Sequence, residues 1–167
     1  MSLLTILKFP DPRLKKTAVR IETIDEQIHQ LAKDMAETMY AAPGVGLAAT
    51  QVDVQQRLIV IDVSEARDEL LVLVNPELVE TEGKKLVEEG CLSVPGVYEK
   101  VERAERVVVR YLDLAGKEQH ISGEGMLAVC LQHEIEHLDG HIFVEHLSQL
   151  KQSRIKTKML KQAKEPS

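Results

Sequence analysis

The stretch that organises this chain is residues 125–137, Gly-Met-Leu-Ala-Val-Cys-Leu-Gln-His-Glu-Ile-Glu-His. Its first half is apolar on every side of a helical projection, which predicts a deeply buried helix. We place this helix at about residues 124–138. It should end at Gly140, because a glycine readily adopts the left-handed conformation that terminates many helices.

The second half of this helix carries a potential metal site. His133 and His137 are four residues apart, so their side chains differ by about 40° around the helix axis and can reach one ion. Glu134 would lie beside that ion, where hydrolytic metal sites keep a general base. The alternative is two exposed histidines on a solvated face. The apolar residues before them favour the metal site, since buried histidines and carboxylates need partners.

A catalytic site of this kind normally has a third protein ligand and an open position for water. Cys130, three residues before His133, and Cys91, in the glycine-containing segment 89–96, are the better candidates for that ligand. Either cysteine could instead be a small buried apolar residue. Further candidates lie downstream of the helix: Asp139, His141, Glu145 and His146.

Residues 44–51, Gly-Val-Gly-Leu-Ala-Ala-Thr-Gln, form a second segment rich in small side chains. It lacks the strand–turn–helix context of a phosphate-binding loop, which argues against nucleotide binding. The rest of the chain is predicted to hold a helix at about 24–41, beginning with Thr23 and Glu26 at capping-box spacing. Predicted strands lie at about 57–63, 70–75 (closed by Pro76), 84–88, 98–103, 105–113 and 117–122.

The last predicted helix, at about 148–164, is basic and amphipathic, with Leu147, Leu150, Ile155 and Met159 on its apolar side. Residues 147–167 hold six basic residues and one acidic residue, although the whole chain has a net charge of −6. Such a helix is either a solvated face or a docking element for an anionic partner. A helix, several strands and two final helices predict an α+β fold, with antiparallel sheets around the metal-binding helix.

Composition limits the function classes. The 167 residues are 44% hydrophobic and 29% charged, which suits a single globular domain spanning residues 1–167. Aromatic residues make up only 3%, too few for base-stacking platforms. No apolar run is long enough to span a bilayer, and the N-terminus does not resemble a signal peptide. We therefore expect a cytoplasmic protein with reduced cysteines and with neither membrane nor DNA as a partner.

Three segments in order resemble the motifs of the bacterial peptide deformylases of the iron- or zinc-dependent type I family. They are residues 44–51, residues 89–93 (Glu-Gly-Cys-Leu-Ser) and residues 133–137 (His-Glu-Ile-Glu-His), and the resemblance extends over essentially the whole chain. One departure is Glu136, where the family usually has Asp. We predict that this carboxylate pairs with Arg103, because an unpaired buried carboxylate is costly.

The resemblance implies a hydrolase that removes the formyl group from the N-terminal formylmethionine of newly made polypeptides and releases formate. Cys91, chosen over Cys130, would bind one divalent ion with His133 and His137. The ion would be Fe²⁺ in the cell, with Zn²⁺ or Ni²⁺ as substitutes. Glu134 would be the general base, and Gln51 and the Leu92 backbone N–H would form the oxyanion hole. The substrate-binding residues would be Val45, Gly46, Leu47, Val87, Glu89, Gly90, Leu127, Val129 and Cys130.

The resemblance also implies a formylated nascent peptide as partner, and docking to the ribosome through the basic final helix. Two alternatives remain: a zinc endopeptidase built on the same helix motif, and a non-enzymatic module stabilised by a metal. The short chain and the Gly-Cys element disfavour the endopeptidase. A carboxylate placed as a base beside the ion disfavours the non-enzymatic module. So do three protein ligands, since structural zinc sites are usually closed by four.

Overall fold

The computed structural model describes residues 3–164 and contains two antiparallel sheets. Its strands in chain order are β1 (Gly46–Ala48), β2 (Leu58–Ile61), β3 (Leu71–Glu82), β4 (Lys85–Cys91), β5 (Val94–Arg103), β6 (Arg106–Leu112) and β7 (Glu118–Glu124). The larger sheet has the order β1-β2-β3-β6-β7, and β4 and β5 form a separate hairpin. All neighbouring strands pair antiparallel.

Three α-helices accompany the sheets: α1 (Glu26–Ala41), α2 (Gly125–Leu138) and α3 (Gln149–Lys164). Short 3₁₀ turns lie at Pro12–Lys15, Ala49–Val52 and Phe143–His146. The predicted α+β fold is therefore confirmed. No helix in the described part of the chain combines the length and apolarity needed to cross a membrane.

The large sheet lies between α1 and α2. Every residue of β2 is fully buried, and its side chains alternate between the two helices. Ile59 and Ile61 pack with α2, whereas Leu58 and Val60 pack with α1. Burial on both faces explains why this strand is a continuous apolar run.

Two local predictions were wrong. The helix α1 is capped by Asp25, whose carboxylate accepts a hydrogen bond from the Ile28 N–H, and not by Thr23. Pro76 does not end its strand, because β3 continues to Glu82. The proline lies at a register shift in the pairing of β3 with β6, between Val74 and Glu77, and beyond the residues that pair with β2. Its missing N–H therefore removes no ladder bond.

The final helix packs on the hairpin through a narrower face than the sequence suggests. Ile155 and Met159 are buried against β5 and the Phe143–His146 turn, and Leu147 is partly buried there. Leu150 was predicted on the same face but is 60% exposed. The end of α2 follows the prediction, since Gly140 has φ +82° and a side chain there would meet the Lys15 carbonyl.

Candidate active site

The two histidines of α2 and one cysteine of β4 converge on a single point. The Nε2 atoms of His133 and His137 lie 3.1 Å apart, and Cys91 Sγ is 3.3 Å from His137 Nε2. The helix supplies the first pair from adjacent turns, and the last residue of β4 brings in the sulfur. Among residues 3–164 this is the one group of three potential metal ligands whose donor atoms meet, all within 4.8 Å.

These separations suit a divalent ion. Metal–nitrogen distances near 2.0 Å and a metal–sulfur distance near 2.3 Å in tetrahedral geometry put two nitrogens roughly 3.3 Å apart, and nitrogen and sulfur roughly 3.5 Å apart. Burial, aided by the charges of His133 and Arg103, lowers the pKa of His137 well below its ordinary value. Burial thus favours the neutral form of His137, which is the form that binds a metal.

Cys130 is the cysteine that the site does not use as a ligand. It is buried on α2, where burial and nearby carboxylates raise the pKa of its thiol to about 12. A thiol held in the protonated form is a poor metal ligand. Its sulfur is not among the three converging donor atoms, although the residue lines the adjoining cavity.

The candidates downstream of the helix are all engaged elsewhere. His141 pairs with Glu145 at 3.1 Å, and Asp139 pairs with Arg57 at 2.8 Å. His146 lies 2.7 Å from the carboxylate of Glu136. None of these side chains belongs to the converging group.

Glu89 lies beside His133 at the wall of the adjoining cavity. Its side chain is only 3% exposed, and one of its oxygens lies 2.8 Å from His133 Nδ1. The same carboxylate forms a buried ion pair with Arg103. The Glu89 side chain therefore orients His133, and the residue also lines the adjoining cavity. By accepting a hydrogen bond from the Nδ1–H, it favours the tautomer of His133 whose Nε2 is free for an ion.

The predicted pairing of Glu136 with Arg103 is confirmed. Arg103 Nη1 donates to Glu136 Oε1 at 2.7 Å, while the other carboxylate oxygen lies 2.7 Å from His146 Nε2. The two carboxylates, Glu89 and Glu136, thus share one buried guanidinium. This arrangement satisfies the buried charges around the histidines.

Glu134 lies beside the convergence point with a free carboxylate oxygen. The residue is 4% exposed, and no group in residues 3–164 hydrogen-bonds its Oε1. Burial raises the pKa of this carboxyl to about 7. The strand β1 makes room for it, because a Cβ at Gly46 would lie 2.6 Å from Glu134 Oε2. The arrangement suits a proton carrier, since a general base works best with a pKa near the working pH.

Gln51 presents its amide nitrogen to the same point. Its Oε1 accepts a hydrogen bond from the Ala48 N–H at 2.9 Å, which fixes the orientation of the amide group. Its Nε2 donates to Ser93 Oγ at 3.0 Å and lies 3.5 Å from Cys91 Sγ. Leu92 occupies the turn between β4 and β5 and lines the same cavity. The Gln51 amide is therefore a potential donor beside the ligand set, and Leu92 directly follows the ligand Cys91 in the chain.

A cavity of about 620 Å³ opens onto these groups. It runs between β1 and β4, and among the described residues each of these strands has one edge that pairs with no other strand. Six of the nine predicted substrate-binding residues line it: Val45, Gly46, Glu89, Gly90, Val129 and Cys130.

The other three predicted residues lie elsewhere. Leu47 points into the core beneath α1, and Leu127 packs against the sheet. Val87 lines a neighbouring cavity at the start of α2. The cavity instead uses Met126, which precedes Val129, Cys130 and His133 by three, four and seven residues. That helical spacing was visible in the sequence and puts Met126, not Leu127, on the site-facing side.

Tyr98 also lines the cavity, and sequence reasoning missed it. Its ring lies against Gly90, where a Cβ would approach within 2.6 Å of the ring. The contact joins residues of β4 and β5 across the hairpin, so only the folded pairing shows it.

Comparisons with known proteins agree with this geometry. A family model described as polypeptide deformylase matches residues 3–153. Peptide deformylase 2 of Nitrosomonas europaea is 58% identical over 164 residues, covering 98% of this chain and 89% of that protein.

Solved structures give the same result. The crystal structure of a peptide deformylase from Legionella pneumophila matches with a TM-score of 0.94 and 51% identity, covering 99% of this chain and 100% of the other. The peptide deformylase of Ehrlichia chaffeensis in complex with actinonin matches with a TM-score of 0.94 and 41% identity, covering 99% and 100%. The chain therefore belongs to the polypeptide deformylase family.

Proposed function

We propose that this protein hydrolyses the formyl amide at the N-terminus of formylmethionyl peptides and releases formate, as its family membership indicates. The assignment of the metal ligands and the general base rests on one observation. Three ligand atoms converge beside a buried carboxylate with a free oxygen, at the inner end of a cavity open to a peptide.

Cys91, His133 and His137 would hold one divalent ion. When bound there, the ion supplies a Lewis acid that activates water and polarises the formyl carbonyl. One thiolate and two imidazoles suit Fe²⁺, Zn²⁺ and Ni²⁺ alike. We propose Fe²⁺ as the ion in the cell, following the family resemblance.

Glu134 would take the proton from the attacking water and then give it to the departing amine. Its carboxyl is suited to both steps, because burial brings its pKa to about 7. Charge on the formyl oxygen would be stabilised by the Gln51 amide and the Leu92 N–H. A donor of this kind is worth about 3 kcal/mol in the transition state.

The peptide would lie between the unpaired edges of β1 and β4, because extended peptides commonly add to free strand edges. The methionine side chain would enter the apolar part of the cavity, whose walls include Val45, Met126, Val129 and Cys130.

The activity is tested by formate release from formyl-Met-Ala-Ser, with release of internal peptide fragments measured in parallel. We expect formate and a peptide with a free N-terminal methionine. The variant Glu134→Gln should retain its metal and lose a factor of 10² to 10⁴ in kcat. Cleavage of an internal peptide bond without formate would instead indicate the endopeptidase, and loss of metal in Glu134→Gln would make that residue a ligand.

We also propose that α3 docks on the ribosome. Its buried side, Ile155 and Met159, packs on the protein, whereas most of its basic side chains are exposed. Lys151 and Lys158 contact Glu99 and the Gly96 carbonyl, respectively. Arg154, Lys156 and Lys161 make no such contact within the described residues. Phosphate attraction to this surface would weaken as salt concentration rises.

Deleting α3 would uncover the apolar cluster beneath it, so charge reversal is the better test. Ribosome binding should weaken in the triple variant Arg154→Glu, Lys156→Glu, Lys161→Glu, while formate release from the short peptide is preserved. The matched control reverses three exposed residues outside α3: Arg20→Glu, Lys33→Glu and Lys117→Glu. Equal binding by both triple variants would contradict docking through α3.

We propose a cytoplasmic location, because the Cys91 ligand must remain a reduced thiolate and reducing compartments keep it so. Both cysteines of the protein are free.

A further inference from the structure

The wall of the cavity formed by residues 43–46 touches two of the proposed catalytic residues. We call these residues the entrance segment. A Cβ at Gly44 would lie 2.6 Å from the Leu92 side chain, and one at Gly46 would lie 2.6 Å from Glu134 Oε2. The position of this segment therefore bears on the shape of the site. Its two glycines give it little conformational preference of its own.

Arg67, which does not line the cavity, holds the entrance segment from behind. One arm of its guanidinium donates to the Gly44 carbonyl. The other donates to the Asp62 carbonyl at 2.7 Å. The Asp62 N–H in turn donates to the Val45 carbonyl at 2.8 Å. Two consecutive carbonyls of the entrance segment are thus fixed by the loop after β2.

The guanidinium is itself held in place. It lies over the Tyr40 ring, 5.0 Å from the centroid, and the Tyr40 hydroxyl donates to the buried Asp62 carboxylate at 2.6 Å. Arg67 has φ +58°, in the left-handed region that residues with a Cβ seldom adopt. The uncommon backbone conformation therefore occurs at Arg67, the residue whose side chain bonds the Gly44 carbonyl.

We propose that Arg67 is a positioning residue for the deformylation reaction, an inference that rests on the proposed function. Arg67 fixes the Gly44 carbonyl directly and also bonds Asp62, whose N–H holds the Val45 carbonyl. It thereby holds the entrance segment at the distance at which the peptide can lie between β1 and β4. Gly46 has a second anchor, because it pairs with Ile61 in the sheet. The loss of Arg67 should therefore disturb peptide binding more than the placement of Glu134.

Steady-state kinetics with formyl-Met-Ala-Ser test this inference. Arg67→Ala should raise KM roughly tenfold, the effect of one lost hydrogen bond to a charged group, with kcat within about threefold of wild type. Arg67→Lys should recover part of the loss, since it keeps the charge over Tyr40 but not the two-armed geometry. Arg67→Ala keeps a Cβ at the same backbone position, so backbone strain is matched. The control is Arg20→Ala, which removes an exposed arginine, with no expected change.

A second measurement does not depend on catalysis. The Gly44 N–H donates to the Met39 carbonyl at 2.8 Å, and its hydrogen exchange reports the order of the entrance segment. Exchange of the amide hydrogens of residues 44–46 should accelerate in Arg67→Ala and remain slow in Arg20→Ala.

The outcomes separate this inference from the proposed function. A wild-type protein that releases no formate would refute the proposed function. Normal wild-type activity, with unchanged KM and unchanged exchange in Arg67→Ala, would refute only the role of Arg67. If Arg67→Ala lowered kcat, metal content and the unfolding midpoint together, the inference would also be overturned, because the variant would have a general structural defect.

Discussion

The variant Gly46→Ala tests the idea that β1 makes room for the general base. Gly46 lies in a regular strand and needs no positive φ, so alanine is acceptable to the backbone there. The new methyl group would meet Glu134 and nothing closer: Oε2 at 2.6 Å, and Cγ and Cδ each at 3.1 Å. The effect of the substitution is therefore steric and local.

The size of the effect follows from these distances. To reach ordinary van der Waals contact, the carboxylate must retreat by roughly 0.8 Å. A misplacement of about 1 Å at a reacting group costs around 10²-fold in rate. We therefore expect kcat to fall by roughly 10²-fold, with metal content unchanged because none of the three nearest atoms belongs to a metal ligand.

The assay is formate release from formyl-Met-Ala-Ser, with elemental analysis and the unfolding midpoint of the same preparations. A second comparison uses Glu134→Asp, whose shorter side chain withdraws from the added methyl group. Adding Gly46→Ala to Glu134→Asp should lower kcat little further, since both substitutions change the contact between residues 46 and 134. A kcat within threefold of wild type in Gly46→Ala, or fully additive losses in the double variant, would refute the reasoning.

Further predictions concern the charges and ligands around the site. Arg103→Ala should lower the free energy of unfolding by roughly 3–5 kcal/mol because it strands a buried carboxylate, whereas Glu136→Gln should cost about 1 kcal/mol or less; urea unfolding measures both, and equal losses would contradict the argument. Cys91→Ser should abolish stoichiometric metal binding and Cys130→Ser should retain it, as elemental analysis will show. Burial opposes ionisation of Asp62, but hydrogen bonds from Ser64 and Tyr40 outweigh it and lower its pKa to about 2. Its contribution to stability is thus complete above about pH 4 and is lost as pH falls toward 2, so Asp62→Asn should flatten the acid side of a plot of unfolding midpoint against pH.

Local pattern was enough to locate the helix α2 and its two histidines. Their spacing and the apolar run before them depend only on helix geometry and burial, which act over a few residues. The same holds for β2, whose four apolar residues indicated a strand buried on both faces. The sequence pattern wrongly predicted that the strand ends at Pro76. A missing N–H ends a strand only where a neighbouring strand needs it for a hydrogen bond, and the pairing of strands is not visible in the local sequence.

The site around the histidines was decided by contacts between distant parts of the chain. The residues alone left Cys91 and Cys130 as open alternatives, and only the approach of β4 to α2 sets one sulfur at 3.3 Å from His137 Nε2. The contact between Glu89 and His133 depends on the same approach of β4 to α2. Spacing along a helix is set by the backbone, whereas distances across elements are set by packing, which no local pattern contains.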